Sequence, residues 1–225
     1  MTGGLVDIDL YMKELLARLQ GAFAGRVVYL GLQGSYSRGE ATPQSDIDIF
    51  LVLDQLNVAD LATYKKFIST MDDTAKSCGF ICGRLELENW NPFEVCQLVN
   101  ETKDYWGQLR PLLPSYTASD ITNYLKIQAG NLYHQLCHGY IHNKNGYTFA
   151  ELSQAYKAVF YFLQNKYYLQ SGQFILAKKD LLPLLKGSDQ AVLGMALQLK
   201  EGADIDFTEA YNLLFAWCQQ QLQSI

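Results

Sequence analysis

The second half of this 225-residue chain contains no arginine; the last one is Arg110. That absence removes the side chain best suited to grip phosphate through a planar fork. It argues against RNA as a substrate of residues 114–225, and against a built-in ribonuclease site of the arginine–histidine kind. Positive charge is scarce overall, with 18 Lys+Arg against 23 Asp+Glu and a net charge of −5. By halves, residues 1–113 carry 10 basic against 15 acidic residues, and residues 114–225 carry 8 against 8. Neither half has the surplus that a long polyanion demands, so long nucleic acid is an unfavoured partner. The five cysteines are odd in number and form no CxxC pair. They read as reduced thiols, which points to the cytoplasm. No run of 18 apolar residues exists, so no membrane span is expected. The start, "MTGGLVDIDLYMKELL", lacks the charged segment and apolar run of a leader. Repeats and low-complexity stretches are missing too. What remains is a globular composition, 49% hydrophobic and 18% charged, long enough for one large or two small cores.

Periodicity divides the chain. Residues 7–23 have the spacing of an amphipathic helix. "RVVYLGLQG" reads as a buried strand, "SDIDIFLVL" as a second, and "FICGRLELENW" as a third by its alternation. Between the last two, "VADLATYKKFISTMDDTA" has helical spacing. The proline-bearing segment 110–119 marks a boundary. Beyond it, helices are expected over 119–142, 148–171, 188–200 and 207–223. Thr148 and Glu151 form a capping box that starts the second of these. Gly187-Ser188 and Gly202-Ala203 read as stops. The expectation is an α+β protein. Residues 1–113 would form a domain with a small mixed sheet flanked by helices, and residues 114–225 a helical bundle.

One stretch concentrates chemistry: "LQGSYSRGEATPQSDIDIF". Asp46 and Asp48 alternate with isoleucines, so both carboxylates would leave one face of a strand, about 7 Å apart. Two anions so placed repel and raise each other's pKa unless a cation lies between them. Hard Mg²⁺ prefers such oxygen ligands. Upstream, Gly34 permits a tight turn and close backbone approach. Ser35 adds a hydroxyl and an amide, and Arg38 can bind phosphate oxygens. The stretch thus offers a metal site beside a phosphate cradle.

Gly34-Ser35, followed at Asp46-Ile47-Asp48 by a paired carboxylate, resembles the signature of the polymerase-beta-type nucleotidyltransferase superfamily. "GSYSRGEATPQSDIDIFLVL" is especially similar to the minimal nucleotidyltransferases and the kanamycin-type aminoglycoside nucleotidyltransferases. The resemblance implies transfer of a nucleoside monophosphate from an NTP, ATP by default, to a hydroxyl, with Mg²⁺ as cofactor and a following helical domain that helps hold a small-molecule acceptor. Gly34 and Ser35 would hold the β- and γ-phosphates, with Arg38 assisting. Asp46 and Asp48 would bind metal. The family adds a third carboxylate from a neighbouring strand; Glu86 is the choice here, with Glu88 beside it.

The three histidines, His134, His138 and His142, recur every four residues. They read first as a polar stripe lining a cleft and second as a soft-metal site. The helix that, in the aminoglycoside enzymes, brings a glutamate base to the acceptor has no obvious glutamate here; His134 is the substitute, since an imidazole titrates near neutrality. The aromatic run "AYKAVFYFLQNKYY" is read as core, with an acceptor pocket as the lesser alternative. Two other functions compete: the same transfer to a protein or RNA end, as in toxin–antitoxin pairs, and nucleotide binding without turnover. Homodimerisation stays open.

Overall fold

The computed structural model describes residues 4–144 and 146–225. The chain falls into two compact units, Met1–Ser115 and Tyr116–Ile225. In the first, helix α1 (Ile8–Phe23) begins where the Asp7 carboxylate accepts from the Leu10 amide, a standard satisfaction of an orphan first-turn donor. Strand β1 (Val27–Gln33), the single turn α2 (Gly34–Ser37), strand β2 (Ile47–Leu53) and helix α3 (Val58–Ile68) follow. Next come strand β3 (Ser77–Gly83), short helix α4 (Arg84–Glu88), helix α5 (Pro92–Glu101) and strand β4 (Lys103–Trp106). The four strands form one sheet in the order β3-β2-β1-β4. It is mixed: β1 runs antiparallel to β2 and β4, and β2 runs parallel to β3.

Both faces of the sheet are covered, so β2 reads apolar at nearly every position. Ile47, Ile49, Leu51 and Leu53 join Met12, Leu15, Leu19 and Phe23 of α1 in one core. Phe50 and Val52 face the other way, onto Tyr29, Cys82 and Leu87. Asp48 shares the second face by alternation, and Asp46 lies one residue ahead of the strand. The hydrophobic layers fix the register, because a one-residue slip would exchange the two cores and bury the Asp48 carboxylate under α1.

The second unit is helical: α6 (Ala118–His142), α7 (Phe149–Ser171), α8 (Lys178–Leu181), α9 (Gly187–Glu201) and α10 (Phe207–Ser224). Capping boxes start α6 at Thr117/Asp120 and α7 at Thr148/Glu151. Gly187, read from sequence as a stop, opens α9 instead, while Gly202 closes it in the left-handed conformation. Half of the aromatics in the α7 run are core, Tyr156, Phe160 and Phe162, while Tyr161, Tyr167 and Tyr168 are half-buried.

Two sequence expectations fail in the first unit. The third strand ends at Gly83, and "RLELE" is helical. Leu85 and Leu87 alternate as in a strand, but only Leu87 is buried while Leu85 is exposed. Five residues cannot distinguish period two from one helical turn and a half. Helix α5 and strand β4 were not anticipated at all, although Asn91 caps α5 and Pro92 stands at its first position.

Candidate functional site

The site begins with a contact. Gly34 has φ +68°, in the left-handed region that L side chains rarely adopt. It also lies directly against Asp48: a Cβ placed on Gly34 would collide with the Asp48 carboxylate. The β1–β2 ladder causes this, because Gln33 and Asp48 are paired across it. The turn and the acidic strand therefore meet at one corner of the sheet. Ser35 follows in α2, whose first-turn amides have no partner within the helix.

Asp46 lies just ahead of β2, exposed, and Asp48 is half-buried. Burial pushes the Asp48 carboxyl above its usual value, and the Asp46 anion adds to this; Arg38 and a hydrogen bond with the Cys78 thiol pull the other way. Cys78 escaped the sequence reading. It stands opposite Asp48 in the parallel β2–β3 pairing. Burial and the Asp48 anion raise its thiol above the usual value, so it is a poor nucleophile in this setting.

Arg38 is placed differently from expectation. Its side chain is only 5% exposed and ion-pairs with Glu40 at 3.2 Å and with Glu101, at the end of α5. The Ser37 hydroxyl donates to the Glu101 carbonyl at 3.0 Å. The guanidinium thus ties the turn to α5 and lends positive charge to Asp48 from behind. Glu40 and Glu101 were the residues that sequence reasoning missed here; a lone Glu at a helix end carries no signal of its partner.

Glu86 does not join the pair. It lies in α4, not in a strand, and folds back over Gly83, where a Cβ would meet its carboxylate. Gly83 pairs with Leu53, at the far end of the ladder from the Asp48–Cys78 pair. Five residues at about 3.3 Å each separate the two ends by roughly 16 Å. Glu86 instead helps raise the buried Cys82 thiol, after burial itself, to about 12. Glu88 ion-pairs with Arg84 at 2.7 Å on the surface. Among the described residues, no group of three or more His, Cys, Asp or Glu is arranged to hold a metal ion.

His134, His138 and His142 all lie exposed on α6 in the second unit. Trp90 packs edge-on against Phe80, its ring centroid 5.2 Å away. Lys178 sits over the Phe160 ring at 4.3 Å.

Residues 12–105 match the nucleotidyltransferase domain family. The chain carries a nucleotidyltransferase domain. Its matched segment contains the whole Gly34–Asp48 corner and all four strands but the last residue of β4. No curated protein matches the chain. Among solved structures, the chain is similar to spectinomycin adenyltransferase AAD(9) from Enterococcus faecialis, determined with ATP and spectinomycin. The identity is 13%, the TM-score 0.63, and the match covers 96% of this chain and 99% of that one. At that identity the likeness establishes a shared fold across the nucleotidyltransferase domain and the helices that follow it. Weaker matches include a toxin–antitoxin structure with AMP-PNP, at 20% identity and TM-score 0.34 over 53% of this chain and 91% of that one. Another is a nucleotidyltransferase-like protein from Exiguobacterium sibiricum 255-15, at 12% identity and TM-score 0.34 over 96% and 75%. No helix among the described residues is long and apolar enough to cross a membrane.

Proposed function

We propose that the chain transfers a nucleoside monophosphate from an NTP to a hydroxyl of a small-molecule acceptor and releases pyrophosphate. The observation that carries this reading is the contact between Gly34 and Asp48, which joins a glycine turn to a carboxylate pair inside the segment that matches a nucleotidyltransferase domain. In the reaction, the acceptor oxygen bonds to the α-phosphorus and the bond from that phosphorus to the bridging oxygen breaks. The electron pair leaves with pyrophosphate, and the hydroxyl proton passes to a base.

Asp46 and Asp48 fit a divalent cation: they supply hard oxygen donors, and the Asp48 carboxyl is raised first by burial and then by the Asp46 anion, both of which a cation would offset. Mg²⁺ held there would neutralise charge on the phosphates. Gly34 lets the backbone approach the phosphate tail, and Ser35 donates to it through hydroxyl and amide. Arg38 acts as a positioning residue, fixing α2 through Glu40 and Glu101. His134 is the proposed base, on the chemistry of imidazole; a His134→Gln variant with unchanged turnover removes it from that role. Acceptors to try first are polyhydroxylated cyclic amines such as spectinomycin, in view of the shared fold with an enzyme solved with that ligand.

A second reading, nucleotide binding without turnover, draws on one observation: among the described residues, a third carboxylate is not gathered beside Asp46 and Asp48. One experiment separates the two. Pyrophosphate release and the mass of each acceptor are measured with NTP and Mg²⁺, for the wild type and for Asp46→Asn/Asp48→Asn. Transfer that falls by about 10³-fold or more in the double variant supports the first reading. Calorimetric binding of NTP with no pyrophosphate from any acceptor supports the second. Full turnover in the double variant rejects the site. A Glu86→Gln variant as inactive as the double variant would show that Glu86 serves the reaction despite its place at the far end of the ladder.

A further inference from the structure

We propose that α6 carries a surface site for a transition-metal ion of the Ni²⁺, Cu²⁺ and Zn²⁺ class, chelated by His138 and His142. This is independent of the nucleotide site and of the reading given to it. The two imidazoles are one helical turn apart on an exposed stretch, and their ring centroids lie 4.8 Å apart. An ion bound to two imidazole nitrogens at about 2.1 Å each, with bond angles between square and tetrahedral, holds the ring centroids about 4.6–5.3 Å apart. The pair already falls in that window. His134 and His138 are wider, at 5.8 Å. His134 and His142 are eight residues apart, about 12 Å along the helix, too far to share an ion. One ion per chain follows, with water filling the rest of its coordination shell.

The surroundings favour a cation. Glu151 lines one shallow concavity with His134 and His138 and an adjoining one with His142. Its carboxylate is held below the usual range by the Thr148 amide first, then by the Thr148 hydroxyl, with the Asn143 side chain adding to this. Both of its oxygens already accept hydrogen bonds, at 2.7 Å from the Thr148 amide and 2.7 Å from Asn143. Glu151 therefore contributes negative potential and no bond to metal, partly offset by Lys144 at the rim. The donor chemistry differs from that of the acidic pair: imidazole selects Ni²⁺, Cu²⁺ and Zn²⁺, whereas carboxylates select Mg²⁺ and Mn²⁺.

The test is Ni²⁺ titration calorimetry on the full chain without a tag, in excess Mg²⁺ to fill the carboxylates, paired with electron paramagnetic resonance of the Cu²⁺ form. The expected result is one Ni²⁺ per chain and a Cu²⁺ spectrum with coupling to two nitrogens. His138→Ala should weaken Ni²⁺ binding by about tenfold or more, the loss expected when a two-point chelate becomes a one-point contact. His134→Gln should bind Ni²⁺ as the wild type does. His142→Ala should fall between, because the wider His134–His138 pair remains. Circular dichroism confirms folding of each variant, and all three positions are exposed. An unchanged isotherm for His138→Ala, or a single-nitrogen Cu²⁺ spectrum, overturns the proposal.

Discussion

The two units bury polarity in opposite ways. In the first, the buried polar side chains are carboxylates, Asp60 and Glu101; in the second they are amides, Gln164, Asn165 and Gln221. Each buried carboxylate is met by an arginine. Arg26 donates to Asp60 at 2.8 and 3.0 Å and also to Asp54 and the Gln55 carbonyl, while Arg38 pairs with Glu101. Two of the amides donate to backbone carbonyls, Gln164 to Ile175 at 2.8 Å and Asn165 to Tyr161 at 2.9 Å, while Gln221 accepts from Lys166 at 2.8 Å and donates to Asp189 at 3.3 Å. The arginine-free half thus relies on buried amides, with the partly buried Lys166–Asp189 ion pair bonded to one of them, Gln221. In the first unit the Arg38–Glu101 pair braces the Gly34–Asp48 corner, while the Arg26–Asp60 pair fastens the opposite end of the β1–β2 ladder to α3. Charge there is paired through arginine; in the second unit the Lys166–Asp189 pair is tied to the amide Gln221.

That contrast can be broken by substitution. The largest effect on stability should come from Arg38→Ala, which leaves Glu101 a buried anion without its guanidinium partner. Loss of one partner of such a pair costs about 3–5 kcal/mol, read as a shift in the denaturant midpoint. Gln164→Ala should cost less, about 1–2 kcal/mol, since it removes a neutral donor from the Ile175 and Leu176 carbonyls and strands no charge there. Equal losses for the two variants would erase the distinction. The smallest effect concerns pH. The Arg26 guanidinium holds the Asp60 carboxyl below its usual value. A carboxyl lowered in the folded state stabilises the protein above its unfolded pKa of about 4 and loses that contribution as the pH falls through the folded value. The thermal midpoint of Asp60→Asn should therefore lie below that of the wild type at pH 7, and the gap should close on acidification. A gap that widens in acid contradicts this assignment.

The sequence revealed these features unevenly, for physical reasons. The long helices were legible because an uninterrupted period near 3.6 over 15 to 25 residues, with a box such as Thr148/Glu151, has no strand counterpart. The Gly34–Asp48 corner was legible because its halves sit on consecutive antiparallel strands, where chain order nearly dictates proximity. Glu86 was not, because its place depends on where β3 stops, and "RLELE" fits either periodicity. Arg38 was misjudged for a similar reason. Its partner Glu101 is 63 residues away in sequence, and only the packing of α5 brings them together.

The pairing of Gln33 with Asp48 has a practical outcome. It sets the spacing of glycine turn and carboxylate from within the sheet, so the connection between α2 and β2 does not have to measure it. Pro43 and Gln44 are exposed at the tip of that connection, beyond the Arg38 ion pairs. A fluorophore-bearing insertion between them would leave the strands in register while placing a reporter a few residues from the mouth of the site.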